Sequence, residues 1–172
     1  MFTCLLVKPE GKEDFIGLNE VKVCSGPQMG MVDVQLSING EYVTTYSGDG
    51  LLVSTPVGST AHNLSAGGPI LRQSMQAFVV TPICPHTLSV RPMVDDAESL
   101  FRLDIPPQHG SQQIVQLVID GQLNRQLFPG DYLEIEKAPV SFKIARLPPQ
   151  NFYHTLHRKL GWGGQPRYRQ SK

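Results

Sequence analysis

Cysteine is scarce in this sequence. There are three in 172 residues, Cys4, Cys24 and Cys84, and none is spaced as a Cys-x-x-Cys pair. That spacing excludes a zinc ribbon and a thioredoxin-type redox site. An odd, scattered count fits a reduced, cytoplasmic chain in which the thiols are buried small hydrophobes. No apolar run approaches the ~20 residues that a membrane-spanning helix needs. The opening MFTCLLVKPEGK lacks a basic n-region and a small-residue cleavage site, so neither a signal peptide nor a membrane partner is expected. Tryptophan occurs once, in a tail with one tyrosine, too few for the aromatic stacking platform of a single-strand binder, and no nucleic acid is expected.

Net charge is zero, yet it is unevenly spread. All 15 acidic residues fall at or before Glu136, while eight of the 15 Lys and Arg lie from Lys137 onward. A basic tail of this kind attracts anionic surfaces, or docks on an acidic part of the same protein, or is simply solvated. With 40% hydrophobic residues the chain has enough apolar material for one core, and its length suits one domain.

Strand patterns dominate what is present. They are read at Thr3–Lys8, Asn19–Cys24, Val32–Ile38, Glu41–Tyr46, Leu51–Ser54, Ala77–Thr81, Thr87–Val90, Ser99–Asp104, Gln113–Ile119, Tyr132–Glu136 and Val140–Leu147. They are short, rich in β-branched residues and separated by Gly, Pro, Asn or Asp. Asn39-Gly40 between VDVQLSI and EYVTTY is a two-residue hairpin signal, because a type I′ turn needs positive φ at both central positions. Many short strands without alternating helices predict an all-β fold, a β-rich sandwich. Two segments depart from it. Ser59–Ala66 reads as a short internal helix closed by Gly67-Gly68-Pro69. Asn151–Leu160 reads as a C-terminal helix with Asn151 as N-cap and Phe152, Leu156 and Leu160 on one face. The expected organisation is a β domain over residues 1–147, then helix and basic tail over 148–172.

Chemistry concentrates in Ser47–Pro69, a strand, a glycine turn and a helix start. Gly58 allows close backbone approach, and Ser59 and Thr60 can cap the helix. The unpaired N–H groups of such a turn form an anion site, or else the segment is an ordinary strand-to-helix connection. It is neither a Walker A loop nor a GxGxxG, and it lacks the GxSxG elbow of an acyl-transfer serine. His154 and His157 stand at i and i+3, but no third ligand is in sight, so no metal site is assigned.

The string GDGLLVSTPVGSTAHNLSAGGPI at Gly48–Ile70, followed by TPICPHTLSVRP at Thr81–Pro92, resembles the NAD kinase family. Leu18-Asn19-Glu20, Asp120-Gly121-Gln122 and RKLGWGG at Arg158–Gly164 also resemble the bacterial type. The resemblance implies the β-rich, NAD-binding C-terminal domain of a two-domain enzyme. That enzyme phosphorylates the adenosine 2′-hydroxyl of NAD, using ATP and Mg²⁺ or another divalent cation, and works in the cytoplasm as a dimer or tetramer. It further implies NAD-binding roles for Asn19, Glu20, Asp49, Thr60, Ala61, His62, Asn63, Leu64, Ser65 and Gln122, with Asp49 reaching NAD across a subunit contact.

Three departures qualify the resemblance. His62 stands where the family has Tyr. Ser47 and Gly30 stand where many members carry a basic residue. The Gly-Gly-Asp-Gly motif of the N-terminal α/β domain, whose Asp activates the hydroxyl, is absent, so no catalytic residue is assigned in this chain. The chain alone is therefore expected to be inactive as a kinase, whether as a fragment, a mis-called start or a standalone relic. The alternative is a non-catalytic dinucleotide-binding or oligomerisation module derived from such a kinase.

Overall fold

The computed structural model describes residues 1–27, 30–107, 114–145 and 151–161. The chain divides into two units, Met1–Phe142 and Lys143–Lys172. The first is built from twelve strands among its described residues: β1 Phe2–Lys8, β2 Gly11–Gly17, β3 Glu20–Ser25, β4 Val32–Ile38, β5 Glu41–Gly48, β6 Gly50–Ser54, β7 Ala77–Ile83, β8 Met93–Asp96, β9 Phe101–Asp104, β10 Val115–Ile119, β11 Leu123–Leu127 and β12 Tyr132–Lys137. They form two six-stranded sheets, β2-β1-β12-β9-β4-β5 and β11-β10-β3-β6-β7-β8. Every pairing is antiparallel. The β-rich sandwich expected from the strand pattern is what forms.

Alternation places one face of each sheet inside. Phe2, Cys4, Leu6, Leu36, Phe101, Leu103, Leu133 and Ile135 from the first sheet join Val21, Val23, Leu51, Val53, Phe78, Val80, Val115 and Leu117 from the second in one buried cluster. Phe78 and Phe101 meet edge to face at 5.4 Å across it, an arrangement that suits the ring quadrupoles. Strand β6 is buried on both faces. Beside it, Leu71 from the segment that follows packs with Ala77 and Val79 of β7 in a second small cluster. A strand covered on both sides loses its alternation and reads as a continuous apolar run, as LLVS does.

Several expectations are corrected. Thr87–Val90 is a turn, not a strand, with the Val90 N–H donating to the Thr87 carbonyl. Val140–Leu147 forms no strand over its described part, 140–145. Its alternating Val140, Phe142 and Ile144 are all exposed, since a period of two reports an apolar face and not a pairing partner. Strands β2, β8 and β11 lie outside the segments that the pattern predicts. Of the cysteines only Cys4 is buried, where burial pushes its thiol up to about 12. Cys84 is exposed, and its hydrogen bond to Asp49, then the Asp49 charge, raises its thiol.

Ser59–Ala66 is not one helix. It is a 3₁₀ turn, Gly58–Thr60, followed by a single α-turn, α1 His62–Ser65, with Ala61 between them at φ −100° and ψ −129°. Neither Ser59 nor Thr60 caps it. The second unit contains α2, Phe152–Leu160, and here the expectation holds. The Asn151 side chain accepts from the His154 N–H at 2.8 Å, and Gly161 ends the helix in the left-handed conformation. Leu156 is buried, and Phe152 and Leu160 are half-buried. The start of Gln113–Ile119, the end of Val140–Leu147 and the tail from Gly163 lie outside the described residues.

Candidate functional site

Strand β3 lies centrally in its sheet, antiparallel to β10 on one side and β6 on the other. The start of β3 is therefore flanked by the ends of both neighbours. Leu18-Asn19-Glu20 enters the sheet there, between Asp120 after β10 and Ser54-Thr55 after β6.

The β10 side is held by a carboxylate. Asp120 Oδ2 accepts the Leu18 N–H at 2.7 Å, and Oδ1 accepts those of Asn19 at 2.7 Å and Glu20 at 3.0 Å. The Asp120 N–H donates back to the Glu20 carbonyl at 3.1 Å. Asp120 sits at φ 50° and Gly121 at φ 70°, and the Gln122 N–H closes the turn on the Ile119 carbonyl. This is a primed hairpin turn, which an Asp-Gly pair satisfies with little strain.

The β6 side is held by hydroxyls and backbone. The Thr55 hydroxyl donates to the Leu18 carbonyl at 2.7 Å and accepts the Gly58 N–H at 3.1 Å. The Asn19 carbonyl accepts the Thr55 N–H at 2.9 Å and the Ser54 hydroxyl at 3.2 Å. Gly58 is pressed so closely on Asn19 that a Cβ there would stand 2.1 Å from that carbonyl oxygen. Glycine is required at this position by proximity, not by its φ.

Glu20 emerges from this frame as the unusual group. It is buried, and its Oε2 has no hydrogen-bond partner among the described residues. Burial raises its carboxyl above the ordinary range, and the nearby Asp120 charge raises it further, against the pull of Lys22. Burial also lowers the His62 imidazole, as does Lys22. The Lys22 charge thus reaches both Glu20 and His62, so the β3 start and the α1 turn belong to one electrostatic neighbourhood.

The other expected site residues fall into distinct positions. Thr60, Ala61, His62 and Leu64 are half-buried, and Ser65 is exposed. Asn63 is fully buried and committed: its amide donates to the Ser59 and Pro69 carbonyls at 3.2 and 3.1 Å, and its Oδ1 accepts the Thr81 hydroxyl at 2.6 Å. Ser59 is likewise committed, donating to Pro56 and accepting the Leu71 N–H. Gln122 is exposed on the hairpin tip. Asp49 lies at the opposite end of β6 from Ser54, about 17 Å away at ~3.4 Å per residue. The fold brings Asn19, Glu20 and the Gly58 turn together and does not bring Asp49 to them. The sequence places Asp120 in the Asp120-Gly121-Gln122 motif and Thr55 in the Gly48–Ile70 string without assigning either a role, and it does not single out Lys22. The available signal is Asp120-Gly121, a hairpin dipeptide ahead of LNRQL.

Comparison with known proteins bears on this site. A family model, the ATP-NAD kinase C-terminal domain, matches residues 18–147. An NAD kinase from Rhodopirellula baltica is 49% identical over 155 residues, 90% of this chain and 49% of that protein. One from Acinetobacter baylyi is 42% identical over 90% of this chain and 50% of its own. The crystal structure of yeast NADH kinase complexed with NADH matches with a TM-score of 0.87 at 26% identity, over 99% of this chain and 51% of that one. An NAD kinase from Archaeoglobus fulgidus in complex with ATP matches at 0.63 and 28% identity, over 81% of this chain and 52% of its own. The chain spans about half the length of the curated relatives it matches.

Proposed function

The chain belongs to the ATP-NAD kinase C-terminal domain family, and from that premise we propose that it is the dinucleotide-binding part of an enzyme that phosphorylates the adenosine 2′-hydroxyl of NAD with ATP. The sandwich, taken as residues 1–147, supplies the binding surface. The observation that carries this reading is Glu20, a buried carboxylate with an unpartnered oxygen. Leaving such a group unpaired costs stability, and a ligand hydroxyl is the donor it lacks.

Asn19, beside it, offers an amide to a ribose or a carboxamide. Thr60, Ala61, His62 and Leu64 would line the same cleft through the half-buried turn. Asn63 would act from beneath it, since its polar atoms already hold the turn together. His62 presents a neutral ring, which can stack on a base. Ser65 and Gln122 would meet the ligand from the rim. Asp49, at the far end of β6, would reach the dinucleotide held by a second copy, which fits a homo-oligomer working in the cytoplasm.

Phosphoryl transfer depends on positioning and on neutralising phosphate charge. The described residues do not fit a resident Mg²⁺, as distinct from one carried in with ATP. No group of three or more His, Cys, Asp or Glu that could hold a metal occurs among the described residues. Asp95 and Asp96 bond to neighbouring backbone N–H groups, and Glu98 pairs with Lys137. With no Gly-Gly-Asp-Gly in 172 residues, this chain alone is expected to bind NAD without forming NADP. That outcome would also suit a binding module without catalysis.

Calorimetric titration with NAD tests the reading. Glu20→Ala should weaken binding by about 1–3 kcal/mol, roughly 5- to 150-fold in Kd. Equal affinities for parent and variant would remove Glu20 from the site and overturn the reading.

A further inference from the structure

We propose that Asp120 is a positioning residue for the ligand-binding edge, its carboxylate holding the backbone of Leu18–Glu20 and thereby aiming the side chains of Asn19 and Glu20. The inference rests on the reading of that edge as the dinucleotide site. Asp120 itself need not touch a ligand, because both of its oxygens are already engaged by three backbone N–H groups at 2.7, 2.7 and 3.0 Å.

Three features make this more than ordinary loop packing. First, the three donors are consecutive and include both residues whose side chains would bind. Second, Leu18–Glu20 precedes and opens β3. At a strand start the backbone N–H groups would otherwise need water or a ligand, and a fixed acceptor removes that freedom. Third, the holding group comes from a residue about a hundred positions away, on the tip of a hairpin whose turn geometry is set by the same residue. The aim of Asn19 and Glu20 is thus coupled to the β10–β11 hairpin. From the other side Thr55 grips the Leu18 and Asn19 carbonyls, so donors and acceptors of the segment are clamped separately. A charged acceptor in a part-buried place makes stronger bonds than a neutral one. It also sets a negative charge beside Glu20, whose carboxyl it helps to raise.

Graded variants of the full chain test it. Asp120→Asn keeps the turn, since Asn accepts positive φ. Its Oδ1 can still serve Asn19 and Glu20, while its Nδ2 opposes the Leu18 N–H donor. Asp120→Gly keeps the turn and removes the acceptor altogether. Asn39→Gly makes the same lesion in another hairpin and is the control. Amide hydrogen exchange at Leu18, Asn19 and Glu20 should quicken by tenfold or more in Asp120→Gly and by less in Asp120→Asn, with Leu100 unchanged in both. In Asn39→Gly the pattern should invert. The Glu20 carboxyl, followed by carbon NMR, should titrate lower in both Asp120 variants than in the parent. A merely structural residue would not move that titration once the fold is intact. The NAD Kd should rise about tenfold in Asp120→Asn and further in Asp120→Gly. Unchanged exchange at residues 18–20, or exchange quickened equally at Leu100, overturns the positioning role whatever NAD does. Quickened local exchange and a lowered Glu20 titration in a chain that binds no NAD would keep the holding role and sink the dinucleotide reading instead.

Discussion

Two hairpin turns in this molecule have the same chemistry and different work. Asn39-Gly40 joins β4 to β5, and Asp120-Gly121 joins β10 to β11. Their first residues have nearly the same backbone, φ 51° and φ 50°, followed by glycines at 83° and 70°. In both, the turn's side chain reaches out to fasten a distant segment. Asn39 accepts the Leu100 N–H at 2.9 Å and donates to the Ser99 hydroxyl at 3.3 Å. Asp120 accepts three N–H groups from Leu18–Glu20. Asn39 is exposed, neutral, and fastens a loop that feeds β9. Asp120 is half-buried, charged, and fastens the segment that carries Asn19 and Glu20. A left-handed turn residue with a short polar side chain is thus a general fastener here. The amide or acid at its tip decides whether it can also set a local charge.

The largest effect should come from breaking the second turn. Asp120→Ala removes the acceptor for three N–H groups and puts a Cβ-bearing residue without a compensating bond in the left-handed region. A loss of about 3–5 kcal/mol is expected, since one hydrogen bond to a charged group contributes ~1.5–3 and a strained left-handed residue costs ~1–3. Urea unfolding, read from the shift in midpoint at constant slope, measures it. A loss under ~1 kcal/mol, the net worth of a single ordinary hydrogen bond, would mean that water replaces the carboxylate without difficulty.

Breaking the first turn should cost less. Asn39→Ala loses one neutral bond to an exposed N–H and a weak one to a hydroxyl, with the same backbone penalty. About 2–3 kcal/mol is expected, from the backbone penalty of ~1–3 and a neutral bond of ~0.5–1.5, by the same unfolding measurement. If Asn39→Ala costs as much as Asp120→Ala, charge and burial do not distinguish the two turns.

The turns also explain what can be read in advance. Asn39-Gly40 stands between two long alternating runs, VDVQLSI and EYVTTY, so the dipeptide and the strands announce each other. Asp120-Gly121 is followed by LNRQL, whose apolar residues stand only at its ends, and β11 escapes a pattern reading. The other strands outside the predicted set, GKEDFIG in β2 and MVDD in β8, likewise carry charges and lack a sustained alternation. All three are edge strands. An edge strand has one paired side and a largely wet face, so it tolerates the charges that keep it from pairing with another molecule. Those charges erase the pattern by which a strand is recognised. Interior strands such as VQLVI and YLEIEK announce themselves, because burial permits nothing else.

The candidate site is legible in a corresponding way. Asn19, Glu20 and the Gly58 turn lie in motif strings and can be named from them. That Gly58 is pressed on the Asn19 carbonyl is a contact between segments far apart in the chain, and no local pattern encodes it. The broken helix at Ala61 has the same origin. Ser59 and Thr60 are good caps in isolation, but the Ser59 hydroxyl is drawn instead to Pro56 and Leu71. Tertiary bonds override a local preference.

The smallest expected effect sharpens the comparison through pH, because the carboxylate beside the Asp120 turn, Glu20, is buried, whereas Glu41 beside the Asn39 turn is exposed. Glu20 has a carboxyl raised in the folded chain by burial and then by Asp120. Between its ordinary value of 4.5 and its raised folded value, the folded state holds the Glu20 proton more firmly than the unfolded state does. The unfolded chain therefore binds fewer protons in that window, and stability falls as pH rises through it. Above the window the loss is complete and constant; below 4.5 it is absent. Glu20→Gln keeps the shape and removes the ionisation. The variant should match the parent below pH 4.5 and exceed it in stability above the folded value, with the gap opening in between. Unfolding curves from about pH 3.5 to about pH 8, a span that brackets the carboxylate range, measure the gap, and taking the difference cancels every other carboxylate. In an Asp120→Asn background, where the neighbouring charge is gone, the gap produced by Glu20→Gln should open at the same pH, level off at lower pH and stay smaller. An Asn39→Gly background should leave it unmoved. A gap that is constant across the whole range would mean that Glu20 titrates alike in both states, and that burying its unpartnered oxygen beside Asp120 costs the fold nothing in charge.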